Sequence, residues 1–556
     1  MPVLPTSRIP FDSGQLSRRG FLAAGIAGGF ALAARNQSNT QAQSSATTAV
    51  IRTSSSGGVG VIPYSSNIEF PNPMRGQYED LLVAEYWQGT SYAGTDNYQR
   101  YVWADIHTGP NTFNFSQIQT DIANAGAAGK RFGMRVMMAD YPSRTDAVPT
   151  WATQVSGATI STTGSAGTAV YPNWNDPAYL SMVQTLLNAL GAQFDLDERL
   201  AYFEVSGYGD WSQNNCYMEV TSYGAPQYLP SQTISALGYY SKNECDLATM
   251  STITTLLGYH VAAFPNTRLL TAADNPEFVR QLLMGSNVAG QPTAATTVPA
   301  IPPGIRNDGI GTESPVPFQM WGYPGEYYYG SELADVYLNN YTKGPWIVEW
   351  YGAYSGGETS TTYLATALHE TINYNLSMIG STNNPAIQAG LGASDYETWL
   401  RLIMYSGYRY SASASVSGNN VTVTWTNWGV APTYDNWQII YQVRNSLNAI
   451  VQTVDSTYSF LTLSAASQGP SYDWGGYVPG SIASSTPTAD PTPVTGNDSF
   501  TLSSSLPAPA SYTIWVQVAW NQHKPSATYT FNYPPMSLAM NGRDGVGSYQ
   551  IGSFTN

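Results

Sequence analysis

Residues 176–211 read DPAYLSMVQTLLNALGAQFDLDERLAYFEVSGYGDW. The first part has an aspartate cap, a proline at the first helical position and apolar residues at three- and four-residue steps, ending at Gly191. This pattern predicts a helix over 177–191. The apolar run 201–206 that follows predicts a buried strand. A helix that leads into a buried strand is typical of α/β proteins with a parallel sheet.

The same alternation extends from about residue 70 to residue 410. Helical patterns begin near Ser116, Asp176, Met250, Leu364 and Trp399. Strands are predicted between them at residues 77–78, 101–106, 132–138, 201–206, 268–273, 304–308, 346–350 and 376–379. Eight strands that alternate with helices favour a (β/α)8 TIM-type barrel over an open doubly wound sheet.

The pattern changes to a period of two after Tyr410. Val421, Val423 and Trp425 follow the turn residues 417–420. Further strand-like runs lie at residues 437–443, 500–503, 512–519 and 547–551. These features predict an all-β sandwich. We therefore expect a barrel domain over 60–410 and a sandwich domain over 411–556.

The N-terminal segment has the features of an export signal. Residues 17–22 read SRRGFL, an apolar stretch covers 21–34, and a polar tail ends near Ala42. This layout predicts a cleaved twin-arginine signal peptide over 1–42. The apolar stretch is shorter than the roughly 20 residues that span a bilayer. We expect a periplasmic or extracellular protein that has no membrane anchor after signal cleavage.

The composition narrows the class of partner. The formal net charge is −15, which argues against nucleic acid and anionic lipid as ligands. Only 11% of residues are charged, whereas 13% are aromatic, with 40 tyrosines and 15 tryptophans. Aromatic rings with polar edges match the apolar faces and hydroxyl rims of sugars, so carbohydrate is the expected partner. The alternative is an aromatic-rich core of an ordinary secreted protein.

Cysteines and histidines are few. In an extracytoplasmic protein Cys216 and Cys245 are expected to form a disulfide. The four histidines are scattered and do not have the spacing of metal ligands. We predict no metal site and no cofactor.

Polar residues lie at or just after the C-terminal ends of most of the predicted barrel strands. Because reacting groups gather at the C-terminal ends of barrel strands, these residues are the candidate site. They are Asp105, Arg135, Asp140, Glu204, Asp210, Asp274, Asn275, Arg306, Asp308 and Glu349. Cleavage of a glycosidic bond needs two carboxyl groups, about 5–5.5 Å apart when configuration is retained. The carboxylates at these strand ends therefore suggest glycoside chemistry.

Glu349 is the best candidate for the attacking or water-activating carboxylate. It ends an apolar strand and lies between aromatic residues, of which Trp350 is expected to line a sugar pocket. The alternative is a carboxylate in an ion pair with Arg135 or Arg306 inside the barrel. Two residues are possible acids: Asp210, near the loop, and Glu204, which is expected to lie deeper as a hydrogen-bonded structural carboxylate.

The remaining candidates have supporting roles. Arg135, and Arg306 together with Asp308, either orient the nucleophile and hold sugar hydroxyls or form a buried ion network. Trp321 and Tyr323 belong to an aromatic loop after the sixth strand, which predicts a stacking platform for sugar rings. Candidate sugar ligands elsewhere in the mouth are Trp211, Gln213, Asp105, Asp140, Asp274 and Asn275.

Several motifs together resemble a known family. They include residues 72–76 (NPMRG), 207–211 (GYGDW), Glu349 and 429–432 (GVAP). They resemble a bacterial family of secreted proteins whose barrel is similar to clan A glycoside hydrolases, especially the family 42 beta-galactosidases, with a C-terminal sandwich. The resemblance implies a proton donor after strand four and a nucleophile near the end of strand seven, where Glu349 lies.

This chain departs from the family pattern at the expected donor. Relatives tend to read Gly-x-Trp-Gly-Glu-Trp, and here Gln213 stands at the position of the glutamate. A glutamine cannot donate a proton as an acid does. Either Asp210 or Glu204 has taken that role, or the barrel binds sugar without cutting it.

Three hypotheses follow. The first is a secreted glycoside hydrolase that cleaves O-glycosidic bonds of a polysaccharide or oligosaccharide by a two-carboxylate, retaining mechanism. The second is a non-catalytic carbohydrate-binding or cell-surface protein on the same scaffold. The third is a structural or adhesive envelope protein that acts through its sandwich.

Overall fold

The computed structural model describes residues 52–55, 60–66, 68–80, 95–140, 145–164, 167–214, 216, 237, 239, 247–286, 298–311, 336–350, 360–380, 392–463, 490–525 and 528–556. The predicted signal peptide, Cys245 and the loop aromatics Trp321 and Tyr323 lie outside these residues. Among the described helices none is long and apolar enough to cross a membrane.

The described strands are distributed along the whole chain from Thr53 to Thr555. In chain order they are β1 (Thr53–Ser55), β2 (Gly76–Asp80), β3 (Asn97–Val102), β4 (His107–Gly109), β5 (Thr112–Phe113), β6 (Phe132–Met137), β7 (Thr159–Gly164), β8 (Gly167–Pro172), β9 (Leu200–Glu204), β10 (Arg268–Ala272), β11 (Gly304–Ile310), β12 (Trp346–Trp350), β13 (Met378–Gly380), β14 (Tyr410–Ser417), β15 (Asn420–Asn427), β16 (Trp437–Asn445), β17 (Ile450–Asp455), β18 (Val494–Thr501), β19 (Ser511–Trp520) and β20 (Tyr549–Thr555).

The described α-helices all lie before Tyr410. They are α1 (Trp103–Ile106), α2 (Ser116–Ala127), α3 (Pro177–Phe194), α4 (Met250–Ala263), α5 (Pro276–Val279), α6 (Ser360–Asn373) and α7 (Ala393–Tyr405).

Eight strands form a closed barrel. Its order is β2, β3, β6, β9, β10, β11, β12 and β13, and β13 pairs with β2 to close the ring. All neighbouring strands are parallel. The hairpins β4–β5 and β7–β8 extend from the connections of the barrel. The predicted (β/α)8 barrel is therefore confirmed.

Helix α3 runs further than its sequence pattern predicts. The Asp176 carboxylate caps it by accepting from the Ala178 N–H at 2.8 Å. The predicted stop, Gly191, is instead an internal residue of the helix. A Cβ atom at Gly191 would lie 2.1 Å from the Ala263 carbonyl oxygen. The glycine thus permits close packing of α3 against the end of α4, and the helix continues to Phe194.

The second barrel strand is shifted from its predicted position. The prediction was 101–106, but β3 ends at Val102 and α1 follows it directly. The apolar run suggested a longer strand because Trp103, although buried, belongs to the helical turn α1 and packs in the outer core. Its indole N–H donates to His107 Nδ1 at 3.0 Å. Asp105 consequently lies exposed on the helical turn.

The barrel interior is built in layers. Alternate residues of each strand face inward, and the lower layer is apolar and rich in tyrosine. Its strand residues Tyr78, Tyr98, Tyr202, Leu270, Ile347 and Met378 pack together with Met74 and Ala201. Two larger apolar cores fill the space between the strands and the surrounding helices. Polar side chains occupy the inward positions above the lower layer.

Residues 410–556, together with β1, form one antiparallel sheet. The strand order is β17, β16, β19, β20, β1, β14, β15 and β18, so the N-terminal strand β1 lies between β20 and β14. The sheet bends over a common core. Tyr441 of β16 accepts from the Trp425 indole of β15 at 3.0 Å and donates to Asp498 of β18 at 2.7 Å. This closure gives the predicted all-β sandwich.

Buried charges join the underside of the barrel to the sandwich. We call this group the basal joint; it consists of Arg131, Glu198, Asp435, His523 and Lys524. Arg131, just before β6, binds Asp435 at 2.6 Å. Glu198, just before β9, accepts from the backbone N–H groups of His523 at 2.9 Å and Lys524 at 3.1 Å. The joint therefore lies at the N-terminal ends of the barrel strands.

Candidate active site

Five charged side chains lie in the barrel interior near the C-terminal strand ends. We call them the charge cluster: Arg100 of β3, Arg135 of β6, Glu204 of β9, Arg306 of β11 and Glu349 of β12. Glu204 is the last residue of its strand, and Glu349 is the last but one. Arg100 is the register partner of Arg135 on the neighbouring strand. The cluster forms the layer directly above the tyrosine-rich layer.

One guanidinium joins the two glutamates of the cluster. Arg306 Nη1 binds Glu204 Oε1 at 3.0 Å, and Arg306 Nη2 binds Glu349 Oε2. Burial by itself lowers the pKa of Arg306, but the carboxylates of Glu204 and Glu349 outweigh this effect and hold that pKa well above its usual value. Glu349 thus forms an ion pair with Arg306, one of the two arginines considered for it, whereas Arg135 pairs with Glu204.

Glu204 is surrounded by hydrogen-bond donors. Besides Arg306, it binds Arg135 Nη1 at 3.2 Å and accepts from the Tyr98 hydroxyl at 2.9 Å. Only 2% of Glu204 is exposed. Burial raises the pKa of Tyr98, so its hydroxyl stays a neutral donor. Glu204 is thus held by three hydrogen-bond donors.

Glu349 lies on the open side of the cluster. Its side chain is 8% exposed, and that of Arg100, whose Nη2 atom is 3.9 Å from Glu349 Oε2, is 12% exposed. Arg135 and Arg306 are each 1% exposed. Arg100 and Glu349 are therefore the most exposed members of the charge cluster.

The segment after β9 has a strained backbone. Asp210–Ser212 forms a 3-10 turn in which Trp211 and Ser212 have φ angles of 51° and 56°. Left-handed conformations of residues other than glycine cost on the order of 1–3 kcal/mol and concentrate at functional sites. The turn is fixed to the end of β6, because Trp211 N–H donates to Ala139 O at 3.2 Å and Ser212 Oγ accepts from Met138 N–H at 3.3 Å.

This turn carries three predicted site residues. Asp210 is 1% exposed, whereas Trp211 and Gln213 are half-buried. The Trp211 ring packs beside Val102 and Met137 at the ends of β3 and β6. The strain and the anchoring to β6 therefore hold a carboxyl group, an aromatic ring and an amide at the mouth of the barrel.

Two predicted ligands lie away from the interior. Trp350 follows Glu349, and since strand residues alternate in direction, it points into the helical layer. Its ring stacks on Tyr363 with centroids 5.7 Å apart, and it is fully buried. Asp105 is exposed on α1. Trp350 therefore packs in the outer core and does not line the opening.

The residues after β10 have a structural role. Asn275 caps α5, accepting from the Glu277 N–H at 3.0 Å, and it donates to the Tyr239 hydroxyl at 3.0 Å. It is fully buried, and the neighbouring Asp274 is half-buried. Both the side-chain oxygen and the side-chain nitrogen of Asn275 therefore form hydrogen bonds within the protein.

Two further predicted residues lie at the mouth. Asp140, three residues after β6, is 8% exposed. Asp308 is the register partner of Glu349 on β11, and its side chain lies outside the described residues. Both are placed at the level of the strand ends, as their positions in the sequence predict.

Metal and disulfide predictions concern other parts of the chain. Among the described residues no group of three or more histidine, cysteine, aspartate or glutamate side chains is arranged to hold a metal ion. Cys216 is buried, and its predicted partner Cys245 lies outside the described residues. The disulfide stays a prediction.

The sequence analysis missed three members of this site. Arg100 contacts Glu349, Tyr98 donates to Glu204, and the Tyr78 hydroxyl accepts from Arg306 Nη1 at 3.0 Å. Tyr98 and Arg100 stand two residues apart, which is the spacing of inward-facing strand residues. This signal lay just before the predicted start of the strand at Tyr101.

Comparison with known proteins gave distant likenesses only. No protein-family model and no curated protein matches the chain. Among solved structures, endo-glycoceramidase II from Rhodococcus sp. in complex with a five-membered iminocyclitol is 9% identical, covers 79% of this chain and 100% of its own, and has a TM-score of 0.34.

Two other structures are similar to the same extent. The catalytic domain of the major endoglucanase from Xanthomonas campestris pv. campestris is 10% identical, with a TM-score of 0.31, and covers 62% of this chain and 99% of its own. The isomalto-dextranase of Arthrobacter globiformis T6 complexed with panose is 9% identical, with a TM-score of 0.31, and covers 74% of both chains. TM-scores this low carry no argument about activity, which must come from the side chains.

Proposed function

We propose that the protein is a glycoside hydrolase that cleaves O-glycosidic bonds of a polysaccharide or oligosaccharide at the C-terminal mouth of its barrel. The observation that carries this proposal is the position of Glu349. It is a carboxylate near the end of the seventh strand, bound to Arg306 and, with 8% of its side chain exposed, next to the more exposed Arg100. A carboxylate at such a strand end is suited to attack a sugar or to activate water.

Arg306 prepares Glu349 for this role. An attacking group must be the carboxylate anion, and the ion pair with a guanidinium supports that form. Arg306 is fixed in turn by Glu204, which Arg135 and Tyr98 hold in place. We therefore assign Arg306 and Glu204 to positioning, and Glu349 to the reaction.

The proton donor must be another carboxyl group. Glu204 accepts from three donors, and Gln213 has no acidic proton. Asp210 is a buried carboxyl residue on the strained turn, at the same end of the barrel. We assign it the role of acid and base in a retaining mechanism, in which Glu349 forms the covalent bond to the sugar.

Other predicted residues complete the proposal. Trp211 and Gln213 are half-buried at the mouth, where they suit contacts with sugar rings and hydroxyls. Asp140, Asp308 and the aromatic loop with Trp321 and Tyr323 are proposed to line the remaining binding surface. We further propose that the predicted signal peptide over 1–42 directs export, so that the protein acts on carbohydrate in the periplasm or outside the cell.

The experiment is a search for hydrolysis with matched variants. The secreted protein is incubated with a broad panel of polysaccharides, and released reducing ends are measured. Glu349→Gln is expected to lower turnover by about a thousandfold or more, since it removes the attacking group. Asp210→Asn should also lose most activity. Glu397→Gln changes an exposed glutamate of α7 and should leave turnover unchanged.

Two outcomes would overturn parts of this proposal. Unchanged turnover in Glu349→Gln removes Glu349 from the mechanism. Unchanged turnover in Asp210→Asn removes the assignment of the acid. Circular dichroism of each variant shows that the fold is intact.

A second function is favoured by a specific observation. Gln213 stands where the family resemblance leads us to expect an acid, and both glutamates of the charge cluster are bound by Arg306. Such a mouth is suited to hold a sugar without protonating a leaving group. The observable signature is glycan affinity of the wild-type protein, measured by calorimetry, with no hydrolysis of any polysaccharide on the panel.

A further inference from the structure

Arg135 has one guanidinium edge that meets no acceptor among the described residues. Its Nη1 atom binds Glu204 Oε2 at 3.2 Å. Its Nε and Nη2 atoms are buried and make no hydrogen bond in the part of the chain that the structure describes. The whole residue is 1% exposed. A permanently charged group is thus held in the barrel with only part of its donors satisfied.

The unsatisfied edge has a defined chemistry. Nε–H and one Nη2–H of an arginine point the same way, so they donate side by side to two oxygens of one anion. Carboxylate, phosphate and sulfate groups fit this fork, and a lysine does not. Leaving a buried donor without an acceptor costs roughly 1–3 kcal/mol, and more when the group is charged. Because this edge of Arg135 is unsatisfied despite that cost, it is suited to bind an oxyanion of a ligand.

The surroundings of Arg135 favour an anion. The charge cluster has three guanidinium groups and two carboxylates, and both carboxylates are bound to Arg306. Arg100 is the register partner of Arg135 and is the most exposed member of the cluster. A ligand group that enters beside Arg100 therefore moves toward Arg135 among positive charges.

A second unsatisfied donor lies just below. The Tyr202 hydroxyl is fully buried and makes no hydrogen bond within the described residues. Tyr202 is the register partner of Gly133, two residues before Arg135. A Cβ atom at Gly133 would lie 2.1 Å from the Tyr202 ring, so glycine is required for the ring to sit there. Two buried donor groups without acceptors therefore occur on neighbouring strands.

We propose that the barrel mouth takes an acidic glycan, and that Arg135 binds the oxyanion of one sugar unit side-on. The oxyanion is a uronate carboxylate or a sulfate ester. This inference rests on the proposed function, because it names the substrate class of the same site. It assigns Arg135 to specificity, in addition to its contact with Glu204.

The test compares each acidic glycan with its uncharged counterpart. Calorimetry measures binding of wild-type protein to oligomers of galacturonate, alginate and hyaluronan, each also after reduction of its carboxyl groups. Sulfated and unsulfated dextran oligomers form the second arm, which separates the two sources of the oxyanion. We expect the charged member of at least one pair to bind about tenfold more tightly, as a side-on ion pair would provide.

Variants locate the preference. Arg135→Lys keeps a positive charge near Glu204 but removes the fork, so it should lose most of the preference for the charged member of a pair. Arg401→Lys is the matched control, since Arg401 lies on α7 and contacts Tyr405 and Asp490. It should keep the full preference.

The outcomes separate this inference from the function on which it rests. Equal affinity for the charged and uncharged members of every pair, or a full preference in Arg135→Lys, overturns the acidic subsite. Hydrolysis without such a preference leaves the hydrolase proposal intact. If the wild-type protein neither binds nor cleaves any glycan, both proposals fail.

Discussion

The two ends of the barrel bury charge in different ways. At the N-terminal end, Glu198 is fully buried and accepts from His523, Lys524 and the Trp520 indole. At the C-terminal end, Arg135 Nε and Nη2 have no acceptor among the described residues. Arg131 Nε and Asp435 Oδ2 of the basal joint also lack a hydrogen-bond partner there, so unsatisfied atoms alone do not distinguish the two ends. The strained turn Asp210–Ser212 lies at the C-terminal end, and backbone strain persists where a site needs it. We infer that the basal joint is structural and the charge cluster functional.

The electrostatics of the basal joint agree with a structural role. Burial raises the pKa of Asp435, but Arg131 and His523 outweigh this effect and hold that pKa well below its usual range. The Arg131 guanidinium also lies 5.0 Å from the centre of the Trp520 ring. Asp435 is therefore a permanently charged partner of Arg131 across the junction of barrel and sandwich.

The largest effect on stability is expected at this junction. Arg131→Met leaves the Asp435 carboxylate buried without its main partner, and breaking a buried pair costs about 3–5 kcal/mol. We expect a loss of this size in the free energy of unfolding, measured with urea. Turnover of the variant that remains folded should be unchanged. A loss below about 1 kcal/mol would erase the contrast between the two ends.

Lys524 should make the stability of the basal joint depend on pH. Burial and Arg131 lower the pKa of Lys524 to about 7 from 10.5, against the opposing effect of Asp195, Asp197 and Glu198. Between these pH values the unfolded chain holds a proton that the folded protein lacks. Stability from this group therefore rises with pH in that window, by about 1.4 kcal/mol per pH unit.

Replacing the lysine should remove this dependence. In Lys524→Met the free energy of unfolding should have a flatter pH profile between pH 7 and 10 than in wild type. Lys343→Met, which changes an exposed lysine, should keep the wild-type slope. An unchanged slope in Lys524→Met would show that the joint does not bury a neutral amine.

The smallest effect is expected at Asp105. It ranked among the candidate ligands by sequence, but it is exposed on α1. Asp105→Asn should change the free energy of unfolding by less than about 0.5 kcal/mol and turnover by less than about twofold. A large loss of turnover would place a functional surface outside the charge cluster.

The strands of the barrel could be predicted because buried parallel strands are continuous apolar runs. The run that ends in Trp346–Trp350 is one such strand, and its bounds are as predicted. The error at β3 arose because Trp103 extends the apolar run into a helical turn. Apolar composition locates a buried segment but does not say where a strand becomes a helix.

The candidate site was predictable in part. Alternation along a strand determines that Glu349 faces inward and Trp350 outward, once one of the two is placed. Which arginine meets Glu349 depends on the register of β11 against β12, which the sequence does not specify. The sequence did not predict the basal joint, because Glu198 and His523 are 325 residues apart in the chain and no local pattern links them.

The most direct test measures turnover and unfolding free energy together in Glu349→Gln and Arg131→Met, on a glycan that the wild-type protein cleaves. We predict that Glu349→Gln loses about a thousandfold in turnover but only about 1–2 kcal/mol in stability, since Arg306 keeps Glu204 as a partner. Arg131→Met should show the reverse. Normal turnover in Glu349→Gln would contradict the assignment of the charge cluster as the reacting site.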